Sequence, residues 1–202
     1  MPAAARSDED LMLAYAAGDA EAFDLLYARH KGGVYRYLLR HCRRSAVAEE
    51  LFQDVWSNLI RARASYVPTA RFATWLYRLA HNRWVDQVRA DGHVSLVSSD
   101  DDANEDAVAS IPAARADEPQ ARAENRELGA RLRAAVAALP PAQRDAFLLQ
   151  QEGELTLSEI AEITGVGAET VKSRIRYALG KLRDELRGEL RDLDDGLRES
   201  LR

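Results

Sequence analysis

Apolar residues in this chain recur every three or four positions and never alternate with polar ones for long, which restricts it to helices packed on helices. From Ser7 to about Gly92 the phased positions are Leu11, Met12 and Tyr15, then Phe23, Leu26, Tyr27, Val34 and Leu38, then Val47, Leu51, Val55 and Leu59. After a break they resume at Phe72, Trp75, Leu76 and Leu79. The breaks have their own chemistry. Ser7 stands three residues before Asp10 as a helix cap, Gly18-Asp19 interrupts, and Pro68 biases Val67 away from helix. Phasing vanishes between about Asp91 and Gln120, where Ser98-Ser99, the Asp100–Asp102 run, Pro112 and Pro119 fall. It returns at Leu128, Leu132, Val136 and Leu139, stops at Pro140-Pro141, and resumes with a helix from Ala142 to Gln151. The expected fold is all-α: two small helical domains, residues 1–92 and 121–186, joined by a flexible acidic linker at 93–120. A charged, leucine-striped tail follows at 187–202.

With 202 residues, 47% of them hydrophobic, the chain has material for one large core or two small ones. Its one cysteine, Cys42, excludes an internal disulfide framework and a cysteine-cluster metal site. No apolar run approaches the ~20 residues of a membrane span, and residues 1–10 lack a secretory signal pattern, so a cytoplasmic protein without membrane insertion is expected. His30, His41, His81 and His93 have no metal-ligand spacing, no glycine-rich phosphate loop is present, and the carboxylates form no recognisable catalytic arrangement. No metal, cofactor, small-molecule substrate or catalytic residue is expected.

The formal net charge of −5 conceals a division. Between Asp100 and Glu127 nine acids face three arginines, and between Asp184 and Arg202 seven acids face four. The rest of the chain is therefore basic. An acidic total does not argue against a nucleic-acid partner, because contact depends on local patches.

The basic charge concentrates in the most informative segment, Leu155 to Arg183. Thr156-x-x-Glu159 is a capping box, Ile160, Ala161 and Ile163 follow, and Gly165 and Gly167 suit a helix end and the next N-cap. A short helix, a glycine turn and a second helix make a helix-turn-helix. On a wheel of roughly 100° per residue, Val171, Ile175, Ala178, Leu179 and Leu182 fall on one buried stripe. Glu169, Thr170, Ser173, Arg176 and Tyr177 lie opposite, with Lys172 and Arg174 on the flanks. That division suits a helix in the major groove, with polar groups and an arginine toward base edges and cations beside phosphates.

These residues resemble a known family. Leu139-Pro140-Pro141-Ala142-Gln143-Arg144, Leu157-Ser158-Glu159-Ile160-Ala161-Glu162 and Gly165-Val166-Gly167-x-x-Thr170-Val171-Lys172-Ser173-Arg174 resemble the C-terminal DNA-binding domain of bacterial extracytoplasmic-function (ECF) sigma factors of the sigma-70 family. Ala48-Glu49-Glu50-Leu51-Phe52-Gln53-Asp54-Val55-Trp56 resembles the family's polymerase-binding helix. Phe72-x-x-Trp75-Leu76-Tyr77-Arg78-Leu79-Ala80-His81-Asn82-x-x-x-Asp86 resembles its promoter-melting helix. The resemblance covers about Asp8 to Leu186.

It implies a dissociable initiation subunit that binds core RNA polymerase, with promoter DNA and an anti-sigma factor as further partners. Leu51, Gln53, Asp54 and Trp56 would dock on polymerase. Asn82 and the Tyr66–Arg71 loop would read and trap an unstacked base of the proximal box, with Arg71, Arg78, Arg83, Trp84 and Arg89 on the melted strand. Glu169, Thr170, Lys172, Ser173, Arg174, Arg176 and Tyr177 would face the distal box as duplex. Cations and π-faces suit single-stranded DNA, whose unstacking costs a few kcal/mol. Trp75 is spaced as core and expected to be buried, whereas Tyr77 and Trp84 lie off that stripe as candidates for DNA contact. Two other readings stand beside this one: a stand-alone helix-turn-helix regulator acting as a dimer without polymerase, and a decoy that titrates an inhibitor.

Overall fold

The computed structural model describes residues 6–42, 44–91 and 119–200, with side chains of the last stretch placed for 127–185 and 187. The expected linker at 93–120 therefore lies outside the described residues except for its last two positions, which are helical. Among the described residues all regular structure is helical.

The first unit is built from α1 (Asp8–Ala16), α2 (Ala20–His41), α3 (Ser45–Ala62) and α4 (Phe72–Asp91), with a single 3-10 turn at Arg63–Ser65. Local signals set most of these limits. Ser7 Oγ accepts from the Asp10 N–H and Asp19 Oδ1 from the Ala22 N–H, so two side chains cap two helices. Between them Gly18 takes a φ of 106°, open to glycine at little cost. The start of α4 is capped from a distance, because the Phe72 N–H donates to Glu9 Oε1 of α1 at 2.7 Å.

The second unit comprises α5 (Pro119–Ala138), α6 (Pro141–Gly153), α7 (Leu157–Thr164) and α8 (Ala168–Ser200). Pro141 opens α6, where its missing N–H costs nothing. Thr156 and Glu159 form the expected capping box of α7. Gly165, at φ 68°, ends α7 in the left-handed conformation, and its N–H donates to the Ala161 carbonyl. The backbone of α8 stays helical through the tail region to Ser200; the leucine stripe expected there falls where side chains are outside the described residues.

The two units are not separate. Helix α6 packs on α2 and α4, and α7 packs on α4. Buried residues of both units, from Leu11 and Tyr37 to Leu148, Ile160 and Val171, belong to one continuous core. Close approach at this junction requires glycine at position 33: a Cβ there would lie 2.6 Å from Tyr77 Oη and 2.9 Å from the Glu152 carbonyl oxygen.

Candidate nucleic-acid interface

Helix α8 divides much as its sequence implies. Val171, Ile175, Ala178 and Leu182 are buried, which fixes the opposite arc outward. Glu169, Thr170, Lys172, Arg176 and Tyr177 are exposed, and Ser173, on the same outer arc, and Arg174, on the flank, are half-buried. The Arg176 guanidinium lies 5.1 Å from the Tyr177 ring centroid, and Lys172 Nζ lies 3.6 Å from Glu169. Leu179 departs from expectation. It is 43% exposed, because it sits about 80° from Val171, at the edge of the stripe. With Leu157 and Ile175 it lines a shallow cleft rimmed by Lys172, Arg176 and Arg183.

Helix α4 is different, because its cations already have partners. Arg71, just before the helix, donates to Glu159 of α7 at 3.4 Å and to the Glu154 carbonyl at 3.4 Å. Arg78 pairs with Glu162 of α7, Arg83 with Asp54 of α3, and Arg89 Nη1 lies 3.8 Å from Asp86. Asn82 is exposed. Trp84 is half-buried, its ring stacked on His41 with centroids 4.0 Å apart.

Two aromatic expectations need correction. Tyr77, expected on the strand-facing side, is 2% exposed at the junction, and its hydroxyl donates to the Glu152 carbonyl. Burial and then the charge of Glu152 push its pKa well up. One helical stripe accounts for one neighbour, whereas α4 has two: its own unit on one side and α6–α7 on the other. Trp75, expected to be buried, is only half-buried, between Phe72 and Tyr66. Tyr66 begins the exposed loop 67–71, and burial, with smaller contributions from Glu9 and Asp8, pushes its pKa up to about 12.

On α3, Gln53 is exposed and Asp54 half-buried, while Leu51 and Trp56 are core residues. The Trp56 ring packs edge-on against Phe23 and Tyr27. Leu51 and Trp56 thus anchor the helix, Gln53 is open on its surface, and Asp54 stands beside it in its pair with Arg83 of α4. Among the described residues no group of three His, Cys, Asp or Glu side chains is arranged to hold a metal ion, and no helix is long and apolar enough to cross a membrane.

Several residues brought together here carry no local sequence signal. Thr74 Oγ1 donates to Glu159 Oε1 at 2.6 Å, Arg36 Nε donates to Glu152 Oε2 at 2.8 Å, and Tyr37 Oη donates to Asp145 Oδ1 at 2.8 Å. Each joins side chains at least 85 positions apart.

Comparison with known proteins follows the same two-part division. Residues 26–94 match the family model for Sigma-70 region 2, and residues 129–182 match that for Sigma-70, region 4. RNA polymerase sigma factor CarQ of Myxococcus xanthus is 32% identical over 173 residues, which take in 86% of this chain and 93% of CarQ. ECF RNA polymerase sigma factor RpoE of Cereibacter sphaeroides is 33% identical over 171 residues, 83% of this chain and 88% of RpoE. The chain belongs to the ECF sigma factors. It is a polymerase-associated subunit that acts in transcription initiation and its regulation.

Solved structures share this sigma factor's fold. CnrH, in complex with the cytosolic domain of CnrY, aligns with a TM-score of 0.63 at 20% identity, covering 91% of this chain and 99% of CnrH. RpoE of Bartonella quintana, in complex with the anti-sigma factor NepR, aligns with a TM-score of 0.63 at 18% identity, covering 82% of this chain and 96% of RpoE.

Proposed function

We propose that this sigma factor recognises a promoter with two short boxes through two different surfaces. The outer face of α8, from Glu169 to Tyr177, reads the distal box as duplex. Asn82, Arg71, Arg78, Arg83, Trp84 and Arg89, with the loop at 66–71, hold the melted strand of the proximal box. Gln53 and Asp54 contact core polymerase on a helix fixed by Leu51 and Trp56. Residues 1–92 and 121–186 act as the two working domains, 93–120 as the tether and 187–202 as an appended tail. The sigma factor acts in the cytoplasm, beside polymerase and DNA, and has no enzymatic activity of its own. An anti-sigma factor controls it, a partnership supported by analogy with the complex of Bartonella quintana RpoE and the anti-sigma factor NepR.

The observation that carries this reading is the uncovered arc of α8, where Thr170, Lys172 and Arg176 stand free of the core while Val171 and Ile175 fix their direction. A purified transcription assay tests it. Core polymerase plus this protein should initiate from a cognate promoter, and Arg176→Ala should weaken distal-box recognition by about 1–3 kcal/mol, as loss of a base-reading arginine does. Initiation by core polymerase alone at the same start site would overturn the reading.

A further inference from the structure

Asp145 is an ionisable residue buried where the two units meet. It lies on α6 at 4% exposure, yet Tyr37, His41 and His81, which reach its carboxylate, are on the other unit. Tyr37 Oη of α2 donates to Oδ1, His81 Nδ1 of α4 lies 3.2 Å from Oδ2, and His41 Nε2 of α2 lies 3.4 Å from Oδ1. The His41 side chain has no solvent exposure, and neither of its ring nitrogens makes an aligned hydrogen bond. Its ring is held instead between Tyr37, edge-on with centroids 4.7 Å apart, and Trp84, stacked at 4.0 Å. A buried imidazole packed this way fits better as the neutral ring than as the cation, because burial strips the water a charged ring would hold and the Asp145 carboxylate, 3.4 Å from Nε2, offsets only part of that loss.

We propose that the Tyr37–His41–His81–Asp145 cluster is a proton-operated latch between the two helical units, holding them together near neutral pH and letting them part when the cluster takes up a proton. Other groups around it set the balance. Tyr37 and Cys42 face it from α2, Tyr77 and His81 from α4, and Arg144 and Asp145 from α6. Burial lowers the His41 pKa; the Asp145 carboxylate pulls the other way, and Arg144 and His81 reinforce the lowering. Burial raises the Asp145 pKa, but His41 and His81 more than offset it and leave the carboxyl well below the usual carboxylate range.

Both net shifts have one sign: the closed form binds fewer protons than the open one. The contribution of His41 to closure is therefore complete above its ordinary pKa of 6.5 and is lost as the pH falls below it. Opening would release Arg71 and Arg78 from α7 and uncover α4.

Small-angle scattering of the full chain from pH 8 to 5, at fixed ionic strength, tests the latch. The radius of gyration should stay constant down to about pH 7 and rise below about 6.5 with helix content unchanged, the open-to-closed ratio growing by up to about tenfold per pH unit. His41→Phe keeps a buried ring against Trp84 but cannot take a proton, and should stay compact to pH 5. A proton NMR titration of His41 in the unmodified protein gives an independent reading and should place its midpoint below 6.5. A radius unchanged across the range, a His41 midpoint at or above 6.5, or His41→Phe opening at the unmodified protein's midpoint would each overturn the proposal. Because the readout is shape, its failure would leave the promoter reading untouched.

Discussion

Gly32 and Gly33 are neighbours on α2, yet their surroundings predict opposite effects for the same substitution. At Gly33 a methyl group would meet Tyr77 Oη at 2.6 Å and the Glu152 carbonyl oxygen at 2.9 Å, and backbone cannot retreat as a side-chain tip does. At Gly32 the only near atom is Arg36 Nη1 at 3.2 Å, the far end of a flexible side chain. Gly33→Ala should therefore destabilise the protein by about 1–3 kcal/mol, the usual cost of overpacking. Gly32→Ala should be neutral or stabilising by up to about 1 kcal/mol, because alanine suits a helix interior better. Urea-unfolding midpoints measured side by side decide it; equal shifts would mean that α6 does not press on α2 as described. Neither glycine signals its role in the sequence, since both interrupt the same amphipathic run and only the partner helix distinguishes them.

At the scale of elements, α7 shows how far a sequence can be read and where reading stops. Eight residues are too few for a stable isolated helix, so its ends and contacts must hold it. The ends were legible, because Thr156 and Glu159 cap each other three residues apart, Gly165 donates to Ala161 four residues back, and neither needs tertiary information. The second role of Glu159 was not. Its carboxylate accepts from the Thr156 N–H at 2.8 Å and also from Thr74 of α4, 85 positions away, with Arg71 alongside. Tyr77 escaped reading for the same reason: its stripe on α4 faces a helix that only the folded chain brings there. Thr156→Ala should cost about 1 kcal/mol, the value of a lost N-cap. Glu159→Gln carries a pH signature as well. Burial raises the Glu159 pKa, but hydrogen bonds from Thr74 and Thr156 and the charge of Arg71 bring it below the ordinary 4.5. A carboxylate with a lowered pKa stabilises the fold above 4.5 and loses that contribution as the pH falls. The stability gap between the unmodified protein and Glu159→Gln should therefore be wide at pH 7 and narrow toward pH 3.5, as read by denaturant titration at both pH values. A gap independent of pH would show that the charge of Glu159 contributes nothing.

Across the whole molecule, the charge division seen in the sequence acquires a second layer. The acids between Asp100 and Glu127 were apparent from counting, but Glu159 and Glu162 of α7 lie within a basic segment's own domain and neutralise arginines of the other unit. In this arrangement carboxylates stand where phosphates of a melted strand would stand beside Arg71 and Arg78. If Arg71 and Arg78 hold the melted strand as proposed, pairing of the units and capture of the strand are mutually exclusive, and whatever weakens one favours the other. Glu162 is 56% exposed, so its pair with Arg78 contributes little to stability and can be altered without loss of fold. Glu162→Arg should raise the affinity of the free protein for a single-stranded proximal-box oligonucleotide several-fold at about 50 mM salt, by freeing Arg78 and adding a cation. Each additional phosphate contact should steepen the logarithmic salt dependence by about 0.7, so that the advantage fades by about 0.5 M salt. Fluorescence anisotropy over that salt range measures both quantities. An unchanged slope with tighter binding would point to a contact other than phosphate, and no change in either would mean that α7 does not stand between α4 and DNA.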